Sequence, residues 1–157
     1  MIQRIQSVFL LLLALAMLSV LVLPLWHKTD GLTHQELTMT AWGFSAQGLT
    51  LPPGLGPVFL IASFAIGSAG LAVREIFLFR NRIGQLKLGS LNLLLIVATL
   101  GAAFYFSNKG DQLLNNKLEG HYLAGMYLPT LALVLNLLAN RFIRTDERLV
   151  RSADRLR

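Results

Sequence analysis

The sequence predicts an all-α membrane protein. It is expected to be a four-transmembrane-helix bundle with a short β element in the first outer loop and a basic amphipathic C-terminal helix. Three observations predict this. The chain is 54% hydrophobic and only 14% charged, with a mean hydropathy of +0.58, where soluble domains run at roughly 45–50% apolar and about 25% charged. The apolar residues gather into four runs long enough for a helix to cross about 30 Å of hydrocarbon. The basic residues gather on one side of those runs.

The length of 157 residues suits one domain, residues 1–157. Low charge density and high apolar content exclude disorder. The chain has no cysteine, which excludes a disulfide framework, a thiol redox site, a Cys-ligated zinc and a cysteine lipid anchor. The apolar runs cover residues 5–26, 49–73, 88–108 and 122–140. They show little polar alternation, as expected for helices surrounded by lipid and by one another. Strands of a membrane barrel would be shorter and would alternate, and a helix satisfies its own backbone in lipid. The spans are placed at about 5–26, 55–79, 88–107 and 122–140, with a tail at 141–157.

The first run follows Arg4 and resembles a secretory signal only superficially. It exceeds the usual signal core and ends in Leu23-Pro24-Leu25-Trp26-His27 with no small-x-small cleavage pattern, so it is expected to remain as the first helix. The loop at residues 27–48 holds Leu37, Met39 and Ala41 alternating with Thr38 and Thr40 ahead of Trp42. That alternation predicts extended structure, packed on helix ends because two strands alone are marginal in water. Pro52-Pro53-Gly54-Leu55-Gly56-Pro57 makes a stiff turn, and Pro57 suits the first turn of the second helix. The short segment 80–87 predicts that helices two and three are antiparallel neighbours. In the second outer loop, Leu113, Leu114 and Leu118 suggest one amphipathic turn. Trp26, Tyr105, Tyr122 and Tyr127 suit an aromatic belt at the outer helix ends, and Pro129 predicts a kink in the fourth helix.

With the N-terminus in the cytoplasm, Arg4, Arg74, Arg80, Arg82, Lys87 and the arginines of the tail lie inside. Only Lys28, Lys109 and Lys117 of the 14 basic residues lie outside. The acidic residues divide evenly. Positive-inside orientation thus puts both termini in the cytoplasm and accounts for the net charge of +6, so the basic balance gives no reason to expect nucleic acid as a partner.

Chemistry-bearing residues are few. His27, His34 and His121 fall on the outer side with Asp30, Glu36 and Glu119, but the spacing matches no zinc motif. They are read as solvated polar residues, and no metal site is assigned. No P-loop, GxSxG, HExxH or dinucleotide fingerprint is present. Ser7, Ser19 and Ser90 have no nearby base, and no catalytic residue or cofactor is assigned. Arg74 and Glu75 sit about one turn inside the second span. Intramembrane charge is costly and often functional, but neighbouring helix positions do not face each other. A functional Glu75 would thus need a partner elsewhere, such as Lys87 or Arg4; the preferred reading is that Arg74 snorkels to the interface and Glu75 pairs locally. Asn92 and Asn136 lie inside helices three and four, where each suits an interhelical hydrogen bond or a polar ligand contact. Small residues recur four apart at Ser63 and Gly67, Ala65 and Ala69, Ala98 and Ala102, and Thr99 and Ala103, a spacing that permits close helix approach and that apolar membrane sequences also produce by chance.

The tail carries the strongest pattern. Arg141, Arg144, Arg148, Arg151 and Arg155 fall within about 80° of one helical face, with Phe142, Leu149, Ala153 and Leu156 nearly opposite. Glu147 and Arg151 have the favourable i,i+4 order. This predicts that the fourth helix runs on as a basic amphipathic helix. The competing reading is that the arginines only anchor topology.

Met1-Ile2-Gln3-Arg4-Ile5-Gln6 at the start and Asp146-Glu147-Arg148-Leu149-Val150-Arg151-Ser152-Ala153-Asp154-Arg155-Leu156-Arg157 at the end resemble a family of small four-helix membrane proteins of Bacteroidota classed as a domain of unknown function. The resemblance covers both ends and the layout between them. It implies a bacterial inner-membrane protein and brings no catalytic or binding residue with it.

The function expected is a non-enzymatic accessory or scaffold subunit of the inner membrane. Its partners would be membrane lipid, another membrane protein or a second copy, and an acidic cytosolic surface at the tail. The alternative is a carrier of a small solute or lipid with a pocket near Asn92 and Asn136. A polar cavity open to one side of the bundle would favour the carrier, and a tightly packed bundle without one would favour the scaffold.

Overall fold

The computed structural model describes residues 2–30, 35–48, 50–51, 56–78, 81–114 and 120–154, with side chains for those between Ile5 and Leu149. It is mostly helical, with a small sheet at one end. The order is α1 (Ile2–Ser19), β1 (Trp26–Asp30), β2 (Gln35–Met39), β3 (Phe44–Gln47), α2 (Leu60–Phe77), α3 (Arg82–Asp111), β4 (His121–Tyr122) and α4 (Ala124–Asp154). Helix α1 packs on α2 and α4, and α3 packs on the same two, so the four helices close a ring.

Each helix presents a stripe at the i, i+3, i+4 spacing that places residues on one face. Leu13, Met17 and Val20 of the first segment meet Ile61, Ala65, Ala69 and Ala72 of α2, Ile96 and Ala103 of α3, and Ala132 and Leu135 of α4 in a buried interior. Alanines on α2 keep the helices close. The faces turned away from this interior are also apolar, with Leu15, Ile66, Leu94, Val97, Leu131 and Val134 all exposed. Helices α2, α3 and the Ala124–Leu149 part of α4 are long and apolar enough to cross a membrane, whereas the apolar part of α1 is the shorter Ile5–Ser19.

The first helix is shorter than the run at 5–26 suggested. It ends at Ser19 and continues as a turn, with Leu23 N donating to Ser19 O at 3.0 Å. Pro24 cannot donate to a helix, and Leu25 and Trp26 enter the sheet. Leu25 N donates to Met39 O at 2.8 Å and Leu123 N donates to Leu25 O at 2.9 Å. The second helix begins at Leu60 rather than near 55, behind a turn in which Leu60 N reaches Pro57 O at 3.0 Å. Helix α3 starts at Arg82, capped by Asn81 Oδ1 accepting from Gly84 N at 2.9 Å, and its 30 residues span about 45 Å. Helix α4 runs unbroken past Pro129 to Asp154.

The sheet is antiparallel in the order β3-β2-β1-β4, with Trp26 opposite Met39 and Tyr122, His27 opposite Thr38 and His121, and Met39 opposite Phe44. The expected strand near residue 37 is β2; Trp42 lies beyond it, its Nε1 donating to Leu21 O at 3.0 Å. Trp26 does not join an aromatic belt. It is fully buried, its ring lying over Gly110 and Gly120 where any Cβ would collide with it. Lys28 is also buried. Its Nζ bridges Asp111 Oδ1 at 3.1 Å and the Asp111 carbonyl at 2.9 Å, pinning β1 to the C-terminus of α3, where the helix dipole favours a cation. Leu113 and Leu114 pack on the core, while Leu118 lies outside the described residues.

Candidate functional site: a polar interior and a basic groove

The helix ends opposite the sheet carry two polar features, one inside the ring of helices and one on its flank. The interior feature draws on all four helices. Gln6, Ser68, Glu75, Gln85, Asn92, Asn136 and Asn140 are buried there. Polar groups in such a place need partners, and several have them. Ser68 Oγ donates to Asn92 Oδ1 at 2.5 Å, Gln85 Nε2 to Glu75 O at 3.0 Å, Asn136 Nδ2 to Gly89 O at 3.0 Å, and Asn140 Nδ2 to Asn136 Oδ1 at 3.3 Å. Gln6 Nε2, Asn92 Nδ2, Asn140 Oδ1 and both carboxyl oxygens of Glu75 have no hydrogen-bond partner among the described residues.

Glu75 was expected to pair locally. The structure instead buries it completely, on the core-facing side of α2 among Ala69, Ala72 and the α3 amides. Lys87 is exposed, and the side chain of Arg4 is outside those described. Arg74, one position earlier, is exposed, the consequence of the roughly 100° step between adjacent helix residues. Asn92 and Asn136 make interhelical bonds as a packing role requires. Sequence reasoning missed Gln6, Ser68, Gln85 and Asn140. The signal that could have found them is a polar residue interrupting an apolar run at the spacing of the buried stripe.

The flank feature lies between α3 and α4. There Gly89 lets α4 come close, because a Cβ on it would overlap the Asn140 amide. Arg82 ties the start of α3 to α4, with Nη2 3.0 Å from Asp146 Oδ2 and Nη1 3.0 Å from Asp146 O. Alongside these two fixed points runs an open cavity of about 380 Å³, walled by Ser90 and Leu93 of α3 and by Leu137, Asn140, Arg141, Arg144, Thr145 and Arg148 of α4. That volume lies toward the lower end of the roughly 300–1,000 Å³ range of ligand pockets. Three arginines of the tail stripe and no carboxylate line it. The side chains of Arg151 and Arg155 lie outside those described.

Among the described residues no group of three or more His, Asp or Glu side chains could hold a metal ion. His27 Nδ1 lies 2.8 Å from Thr38 Oγ1; His34 and Glu119 are outside the description.

Fold and site together define a mostly helical protein with three long apolar helices, a small antiparallel cap, and a polar end with a basic groove. The chain belongs to the family described as Domain of unknown function (DUF4293), whose model matches residues 2–156. Comparison with curated proteins gives no match.

Proposed function

We propose that the protein is a multi-pass protein of a bacterial inner membrane, with both termini cytoplasmic, acting as a non-enzymatic accessory subunit. Its basic cytoplasmic end engages an anionic surface, of lipid or of a protein partner. The apolar outward faces of the helices support the membrane setting, since lipid is the solvent that suits them. The observation that carries the binding role is the meeting of Arg141, Arg144 and Arg148 in one groove. A stripe serving only topology has no need of a shared cavity, because positive-inside anchoring counts charge and not geometry.

The experiment is replacement of Arg148, Arg151 and Arg155 with Gln. Arg141, Arg144, Arg82 and Lys87 remain to hold the orientation, so insertion should survive. Loss of a co-purified partner or of membrane-surface crosslinks, with insertion intact, supports the role. Unchanged recovery refutes it, and failed or inverted insertion assigns the arginines to topology. The carrier reading draws support from the unpartnered polar atoms around Glu75 and from the polar cavity itself. That cavity, however, is lined by the tail arginines and not by Asn92 and Asn136, which favours a docking site over a passage.

A further inference from the structure

We propose that the α3–α4 groove is a discrete binding site for one anionic glycerophospholipid, with the phosphate held by Arg141, Arg144 and Arg148 and an acyl chain laid along Leu93 and Leu137. This rests on the membrane reading above and deepens it from a charged surface to a built site.

The argument is the order of residues along the groove. Helix α3 runs toward the sheet and α4 runs away from it. On α3, Leu93 therefore lies farther toward the sheet than Ser90. On α4, Leu137 lies farther toward the sheet than Arg141, Arg144 and Arg148. Both walls thus change from apolar to polar in the same direction, and with the sheet on the outer side that direction runs from hydrocarbon to headgroups. From Leu137 to Arg148 the groove descends about 16 Å, which spans the passage from acyl chains into the headgroup layer. An amphiphile is the ligand whose own polarity follows this gradient. A free phosphate or an acidic peptide would use the arginines and leave Leu93 and Leu137 facing lipid.

Charge and shape agree with this ligand. Arginine offers planar forks of donors that match phosphate oxygens, and basic pockets between helices on the cytoplasmic side are a recurring form of anionic headgroup recognition. The walls are fixed before any ligand arrives. The Arg82–Asp146 bridge ties the helices at the arginine end, and the Asn140, Asn136 and Gly89 contacts tie them farther toward the sheet. A preformed site loses less freedom on binding than a mobile tail.

The test uses the full-length protein purified in a neutral detergent, with lipid retention read by native mass spectrometry. The probes are phosphatidylglycerol, phosphatidylcholine and water-soluble glycerol phosphate. Ser90→Trp fills the groove from the exposed side of α3 and leaves every arginine in place, with Ser90→Leu as a smaller filling variant. Arg141→Gln with Arg144→Gln removes charge without filling. Phosphatidylglycerol should be retained over phosphatidylcholine by the unaltered protein. Both kinds of variant should weaken that retention, the double arginine variant by about thirtyfold from two basic groups near an anionic headgroup. If the filled variants hold phosphatidylglycerol like the parent while the arginine variant does not, the lipid lies on a diffuse basic surface. The groove is then overturned while the broader reading stands. Equal binding of glycerol phosphate overturns the acyl wall and assigns a soluble phosphate ligand. Equal retention of both lipids overturns the site, and the broader reading then rests on recovery of a protein partner.

Discussion

Asn140 occupies the space that any side chain at Gly89 would need. The α3–α4 contact is set by that pair, since the Asn140 amide lies over the Gly89 Cα while Asn136 reaches the Gly89 carbonyl at 3.0 Å. Replacing Gly89 with Ala should force the helices apart or turn Asn140 out of place, breaking its bond to Asn136. The gain in helix propensity from Gly to Ala, about 1 kcal/mol, opposes this. Overpacking costs typically about 1–3 kcal/mol, and a buried amide losing its partner about 1–3 kcal/mol more. Net destabilisation is expected, read as a lower unfolding midpoint in detergent. A midpoint equal to or above the parent's would show that the close approach is dispensable.

Lys28 and Asp111 make the second prediction. Lys28 is 2% exposed and Asp111 36%, so the ammonium is the member that suffers when the pair is broken. Asp111→Ala leaves it the helix-terminal carbonyl alone and also removes the acceptor for Gly120 N, 3.1 Å away. A loss of about 2 kcal/mol is expected, within the range for hydrogen bonds to charged groups. Lys28→Met together with Asp111→Ala should recover part of it, because no unpaired charge is then buried. A double-mutant cycle with no coupling would remove the pair from the account of how the sheet is attached.

Glu75 gives a prediction of opposite sign. Its carboxyl is fully buried with no hydrogen-bond partner among the described residues, and such a group weakens the fold unless something satisfies it. Glu75→Met, similar in volume and without the polar atoms, should raise stability by about 1–3 kcal/mol, the cost of leaving a buried polar group unsatisfied. Glu75→Gln should lie between. Should Glu75→Met instead lower the unfolding midpoint, the carboxyl has a bound partner in the native protein, and the polar interior becomes a ligand site.

These residues show what the sequence could and could not reveal. The four helices were legible because apolar runs of their length have few other uses in a chain of this composition. The end of α1 was not, because Leu25 and Trp26 prolong the same run while serving a buried strand, and periodicity cannot separate those two uses. Strand β1 reads as polar, yet Lys28 and Asp30 point inward, reversing the usual alternation because Asp111 waits for Lys28 at the end of α3. The arginine stripe was legible from spacing on a single helix. The groove was not, since Ser90 and Leu93 come from a second helix whose approach depends on one glycine and one asparagine 51 positions apart in the chain. Glu75 stood out as a charge in an apolar run, but its isolation from every described cation is a property of the packing.

Topology provides the last prediction. Three helices reach spanning length and α1 falls short, which invites a model with three crossings and termini on opposite sides. The packing argues against it. Phe9 near the start of α1 stacks on Phe142 in the basic half of α4, with centroids 5.6 Å apart and planes at 10°. The far end of α1 feeds directly into the sheet through Leu25 and Trp26. Helix α1 therefore runs the full distance between the two polar ends, alongside α4 and antiparallel to it. Its 18 residues cover about 27 Å, and the turn at residues 20–25 supplies what remains of about 30 Å of hydrocarbon. Both termini then share a side, which the proposed orientation takes to be the cytoplasm. A reporter active only outside the cytoplasm should be silent when fused before Met1 or after Arg157, and active when inserted in the loop at residues 109–121. Activity at the N-terminal fusion with silence at Arg157 would mean that α1 does not cross. Its stacking on α4 would then have to be abandoned along with the four-span model.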